Sequence, residues 1–356
     1  MATAEAPPLP APAPARSRNL IAGLASKYGL YFVLIAPMVV FAVKDLSETG
    51  NLSRLGTNIF EGLSNGSIWA LIAVGYTLVY GIIELINFAH GETFMIGSFI
   101  SVGLWGTLGL TLVTGPLGLV LGLLLTLIIA MVACGTMNVM IEKVAYRPLR
   151  SAPKLAPLIT AVGFSFILQN VGLLWLGGSP EGVSDLLRAQ QEVATVFGVR
   201  IQRADLLAIA VTIPLVLLMV TFITKSRLGK AMRATAQDPD AARLQGINVD
   251  TTISLTFLLG GMLAGAAGLI YALYQTTVWF FQGFQAGLIA FTAAVMGGIG
   301  NLKGAVLGGL IIGIVQQTTD NRIGAQWTPA VVFAYLVLVM VFKPSGLIGE
   351  ETREAG

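Results

Sequence analysis

Ten apolar runs, separated by short polar stretches, leave this chain few ways to fold outside a lipid bilayer. They lie at 28–43, 59–83, 88–110, 117–141, 157–176, 205–224, 253–274, 285–299, 304–315 and 327–342. A helix needs roughly 20 apolar residues to cross the hydrocarbon core. The eighth and ninth runs are short for that, so the expected range is eight to ten spans. Charge supply points the same way. Only 11% of the 356 residues are charged, against 55% apolar, whereas a soluble domain carries about 25% charged residues to wet its surface. The expected fold is an all-α, polytopic membrane helix bundle of about ten transmembrane helices.

The loops orient the bundle. Residues 142–154 carry Lys143, Arg147, Arg150 and Lys154 against one acid, and 225–250 carry Lys225, Arg227, Lys230, Arg233 and Arg243. Basic loops stay on the cytoplasmic side, and the two runs between these loops satisfy that parity. Counting outward places both termini inside and the charge-balanced loop 177–203 outside. The Pro/Ala-rich start of the chain reads as a disordered cytoplasmic tail over 1–27, with Arg16, Arg18 and Lys27 inside. A membrane domain over 28–349 and a short cytoplasmic tail at 350–356 follow. If runs two to five and seven to ten are equivalent, the odd offset makes the copies inverted, as in many transporters.

Small residues are abundant, with 42 glycines and no three-residue period. Glycine pairs four apart, at 118/122, 261/265, 300/304 and 309/313, permit close helix crossings or a specific dimer contact. Cys134 has no partner for a disulfide, and one Cys with one His leaves little for a metal site. A net charge of +3 is too diffuse to suggest nucleic acid.

The densest polar cluster near membrane depth is GIIELINFAHGETFMIGSF, 81–99. Helical spacing would place Glu84, Asn87 and Gly91 on one face, with His90 and Glu92 beside them. Ionisable groups in a span are costly and mark functional paths; a wet turn between spans is the other reading. Gln169 and Asn170 in the fifth run, and Asn138 in the fourth, are expected to hydrogen-bond between helices or line a path. Trp279, Phe280 and Phe281 suit an interfacial aromatic belt or an external partner.

The run INFAHGETFMIGSF resembles the early signature of permease subunits of branched-chain amino acid ATP-binding-cassette (ABC) importers. YRPLRSAPKLAPLITAVGFSFILQN, GGIGNLKGAVLGGLIIGIV and FKPSGLIG resemble that family's central and C-terminal parts. DAARLQG, 240–246, is similar to the EAA-three-residues-glycine motif, with Asp240 in place of Glu. In such permeases this segment is a short helix docking on an ATPase subunit. The residue chemistry suits a compact helix: Asp238 as N-cap, Pro239 at its start, Gly246 as its stop, and small Ala241 and Ala242 between. Gly229 and Arg233 belong to the same cytoplasmic stretch. An ordinary loop whose arginines meet lipid headgroups is the alternative.

No phosphate-binding loop is present, since the lone Lys225-Ser226 dipeptide follows Thr224 rather than glycine. The resemblance therefore implies a transport subunit, not an enzyme, with no cofactor of its own. ATP and Mg would be used by two partner ABC ATPase subunits. It further implies a second permease subunit, an extracytoplasmic solute-binding protein, a bacterial inner-membrane location, and alternating access for branched-chain or other apolar amino acids. Urea or short amides are the alternative cargo. An ion-coupled secondary transporter is the alternative of another class, and it would call for more charged groups at mid-span.

Overall fold

The computed structural model of the chain describes residues 20–111, 114–150, 152–153 and 155–349. The tails at 1–19 and 350–356 lie outside the described residues. Helix α1, Leu20–Thr49, begins within the stretch expected as tail. Nine further apolar helices coincide with the remaining runs: α2, Ser53–Ile83; α3, Ala89–Thr107; α4, Pro116–Ile141; α5, Leu155–Leu176; α6, Arg203–Lys225; α9, Val249–Gln275; α10, Gln282–Gly297; α11, Leu302–Thr319; α12, Thr328–Phe342. Two polar helices, α7 at Arg227–Gln237 and α8 at Pro239–Leu244, fill the basic loop between α6 and α9. Six helical stretches are long and apolar enough to cross a membrane, the last being the whole of Leu302–Phe342. That stretch is not one rod. A π-turn at Asp320–Gly324 folds α12 back along α11, and Asn301 before α11 donates to the Ile348 carbonyl beyond α12 at 3.0 Å.

Contacts between connections sort the helix ends onto two faces. On the basic face, Tyr146 reaches the Ile86 carbonyl, Arg150 pairs with Asp250, and Gly29 of α1 lies against Phe342. On the other, Arg322 pairs with Asp45, Asn321 bonds Asn58, and the 177–203 connection meets the 276–278 connection. This second face carries short strands that an all-α expectation omits. β1, Glu181–Gly182, pairs with β4, Thr277–Val278, while β2, Glu192–Val196, and β3, Val199–Gln202, form a hairpin. Its two-residue turn, Phe197 at φ 50° and Gly198 at φ 79°, has both residues left-handed, as a type I′ hairpin turn requires. We call this the hairpin face. Chain direction alternates between the faces at each apolar helix.

The packing has inverted internal symmetry. α2 lies along α11 as α9 lies along α4; α3 touches α9, α4 and α5 as α10 touches α2, α11 and α12. Exchanging α2–α5 with α9–α12 thus preserves the principal contacts, and the two sets run in opposite directions. Helices α2 and α9 are buried at the centre, with Ser64–Val79 of α2 enclosed throughout. α4 turns Leu117, Leu121, Leu125 and Ile128 outward, an apolar face suited to lipid.

Close crossings rest on glycine at two of the four expected pairs. A side chain at Gly309 or Gly313 would run into the α2 backbone at Ala70 or at Gly62 and Gly66, and Gly261 and Gly265 abut α4 at Cys134 and Ala130. The other pairs are corrected. Gly118 and Gly122 face Thr114 and Leu110 of the preceding connection, and Gly300 is an open turn residue at φ 91° beside Gly304, which packs on Gly297.

Candidate functional site

The cluster at 84–92 is divided by a helix end. Glu84 takes φ 51°, and its N–H closes on the Tyr80 carbonyl, so α2 stops there and α3 begins only at Ala89. Glu84, Asn87 and Gly91 therefore share no helical face, contrary to the spacing argument. Glu84 is exposed, whereas Asn87, His90 and Glu92 are buried. Neither the wet-turn reading nor the membrane-path reading covers the whole group.

Each buried member has a definite seat. The Asn87 amide donates to Asn138 of α4 at 3.2 Å, and its oxygen accepts from Tyr146 at 3.2 Å. Asn138 passes the chain on to the Phe257 carbonyl of α9 at 2.8 Å. His90 lies edge-on to Tyr76 with centroids 4.7 Å apart, in space left open by Gly75. Glu92 accepts from Ser165 of α5 at 3.2 Å, its other oxygen facing Gly283 of α10. A buried carboxylate needs partners to offset its desolvation. These groups thus sit where the start of α3 meets α2, α4, α5, α9 and α10. On α5, Gln169 is half-buried. Asn170 is exposed and bonds its own helix at the Phe166 carbonyl, 2.8 Å, rather than another helix among the described residues.

The polar segment between α6 and α9 is folded, not a loose loop. Ser226 caps α7 by accepting from the Gly229 N–H at 2.8 Å, and any Cβ at Gly229 would strike the last turn of α6. Arg233 reaches back to the Ile223 and Thr224 carbonyls, a cation at a helix C-terminus. Asp238 caps α8, accepting from Asp240 and Ala241 at 2.9 and 3.0 Å. Gly246, at φ 81°, ends α8 with the paired 6→1 and 5→2 bonds of a Schellman turn, Ile247 to Ala242 and Gly246 to Arg243. Asp238, Asp240, Ala241, Leu244 and Gly246 are exposed, Leu244 to 88%. Ala242 instead points inward, packed with Ile141, Tyr146, Val249, Ile253 and Phe257. The expectation that both alanines slim an outward surface holds for Ala241 alone.

One feature near α8 escaped sequence reading. Glu142, fully buried at the end of α4, pairs with Arg150 and accepts from Ser254 of α9 at 2.6 Å. Arg150 also reaches Asp250 at 2.6 Å, and Arg147 reaches Asp250 at 2.7 Å. These residues register in the sequence only as loop charge. In the fold they clasp α4 to the first turn of α9, immediately after α8. Among the described residues no group of His, Cys, Asp and Glu could hold a metal ion.

A bundle of apolar helices in two inverted halves, with a buried polar crossing and a short exposed helix on its basic face, defines a membrane transport subunit. Residues 58–341 match the family described as "Branched-chain amino acid transport system / permease component". The chain is 40% identical to the high-affinity branched-chain amino acid transport system permease protein BraD of Pseudomonas aeruginosa, covering 83% of this chain and 96% of that protein. It is equally 40% identical to LivH of Escherichia coli K12, a permease protein of the same description, with the same coverage. More distantly, 53% of the chain matches 56% of the autoinducer 2 import system permease protein LsrC of E. coli O9:H4 at 28% identity. No solved structure matches. The chain belongs to the branched-chain amino acid transport permease family.

Proposed function

We propose that this chain is the membrane-spanning subunit of an ATP-driven importer for branched-chain or other apolar amino acids. The observation that carries the reading is α8: a doubly capped helix exposing Asp240, Ala241 and Leu244 on the basic face, in a chain related over most of its length to amino-acid permeases. In this reading the basic face is cytoplasmic, both termini lie inside, and the protein resides in a bacterial inner membrane. Two separate ATPase subunits hydrolyse ATP with Mg, one docking on α8. A second permease subunit packs beside this one, where the exposed face of α5 brings Gln169 and Asn170 to the seam. A solute-binding protein delivers cargo to the hairpin face. Asn87, His90 and Glu92, with Glu84 at the rim, form the inner gate of an alternating-access path.

The test is Ala241→Trp, which adds bulk on the outward side of α8 and leaves Ala242 and the bundle beneath it intact. ATPase copurification and ATP-driven leucine uptake should both fall sharply, while membrane insertion persists. Wild-type values for both would remove α8 as the coupling element.

A further inference from the structure

Where α2 emerges on the hairpin face it carries a polar stripe out of keeping with the apolar helix below. Arg54, Thr57, Asn58 and Glu61 recur at i, i+3, i+4 and i+7, one helical face, and all four line a cavity of about 580 Å³. The β2–β3 hairpin closes one side, held by the Arg200 N–H donating to the Thr57 hydroxyl at 3.3 Å. The turn between α11 and α12 closes another. There Asn321 donates to Asn58 at 2.9 Å, and Gln317 just below donates to Glu61 at 2.9 Å. Interhelical bonding explains Asn58 and Glu61 in part. It leaves out the cations: Arg322 is taken up by Asp45, but the Arg54 and Arg200 side chains make no ion pair or side-chain hydrogen bond among the described residues.

We infer that this cavity is a binding site for the zwitterionic head group of a free α-amino acid, with Arg54 and Arg200 holding the carboxylate and Glu61 the ammonium. The assignment rests on the importer reading above and names a substrate site for it within this chain. Charge supports it, because Arg54, Arg200 and Glu61 line one cavity with no direct ion pair among them. Arg54 and Glu61 are two turns apart on one face of α2, at the two ends of the polar stripe. Thr57 and Asn58 lie between them on the same helical face. The residues lining the cavity are polar, charged or glycine, so the site reads the head group and leaves the side chain free. It would hold amino acids loosely and without strong preference among apolar ones, as suits a waystation.

The experiment uses the full chain in lipid nanodiscs, without ATPase or binding protein, and measures saturable binding of radiolabelled L-leucine. Competitors are 4-methylpentanoate, which lacks the amine, and isoamylamine, which lacks the acid. We expect each half-ligand to compete at least about tenfold less well than leucine. Arg54→Gln combined with Arg200→Gln should weaken leucine by a similar factor, and Glu61→Gln, which can keep its bond to Gln317, should abolish the advantage of leucine over 4-methylpentanoate. Competition on the unaltered chain tests head-group recognition even if a variant folds poorly, and the two independent substitutions place the site. Absence of saturable leucine binding overturns the inference, as does binding unchanged by the substitutions. Equal competition by 4-methylpentanoate also overturns it, making the cavity a plain anion site such as an acidic protein surface would occupy. ATP-driven leucine uptake by the assembled complex is measured in parallel. Uptake without leucine bound here sinks this site alone, whereas lack of any leucine uptake sinks the importer reading beneath it.

Discussion

Gly309→Ala tests whether the inverted architecture depends on backbone contact between its halves. A Cβ built at Gly309 would lie 2.5 Å from the Ala70 Cα and 2.6 Å from the Ala70 nitrogen. Both are main-chain atoms of a fully enclosed helix, with no rotamer to yield. Ordinary contact starts at 3.4 Å, so α2 and α11 would have to part by about 0.9 Å along the crossing. A gap of about 0.5–1 Å forfeits a quarter to a half of the dispersion energy of the atoms facing it. In lipid that loss is not offset, because apolar burial drives no association there. Overpacking of this kind costs about 1–3 kcal/mol. Gly103→Ala is the control, since nothing lies within 4 Å of a Cβ at that position. Thermal unfolding of both variants in one detergent, followed by loss of the monodisperse peak, should show Gly309→Ala clearly less stable and Gly103→Ala near wild type. Equal melting of the two would refute the close-crossing argument.

The clasp beside α8 should respond unequally at its two arginines. Arg150→Leu leaves buried Glu142 without its cation and should cost about 3–5 kcal/mol. Arg147→Ala removes a half-exposed pair and should cost about 1 kcal/mol or less; denaturation midpoints in detergent rank them, and similar losses would remove the distinction. A cysteine at exposed Gln190, on the hairpin face, should react with impermeant reagent only from outside intact cells. Reaction only from the cytoplasm would invert the orientation.

The helix inventory was legible because lipid imposes a constraint that every segment must meet alone: enough apolar residues to span, and all backbone groups satisfied within the helix. Ten runs became ten apolar helices. The capping of α8 was equally local, since Asp238, Pro239 and Gly246 act within one or two turns. The hairpin at 192–202 is less legible, because β2 has no regular alternation of apolar and polar residues and its register shifts between Glu192 and Ala194. The end of α2 is hidden in the sequence for a different reason. Glu84 has no intrinsic claim to a left-handed conformation, and nothing within the run 81–91 separates a continuous helix from two.

The amino-acid sequence by itself therefore determined the membrane class, the number of apolar helices, the family and the presence of a capped helix on the basic side. Each of these follows from composition, periodicity or motif, properties that neighbours along the chain carry together. Only the tertiary structure decided that Ala242 faces the bundle while Ala241 faces out, and that Gly309 and Gly313 mark a crossing while Gly118 and Gly122 do not. It alone brought Glu142, Arg150 and Asp250 into one clasp, and Arg54, Glu61 and Arg200 around one cavity. Those pairings join residues up to about 150 positions apart, and in a bilayer hydrophobicity does not select among helix faces. Close packing and hydrogen-bond satisfaction between helices select them, and both exist only once the helices have met.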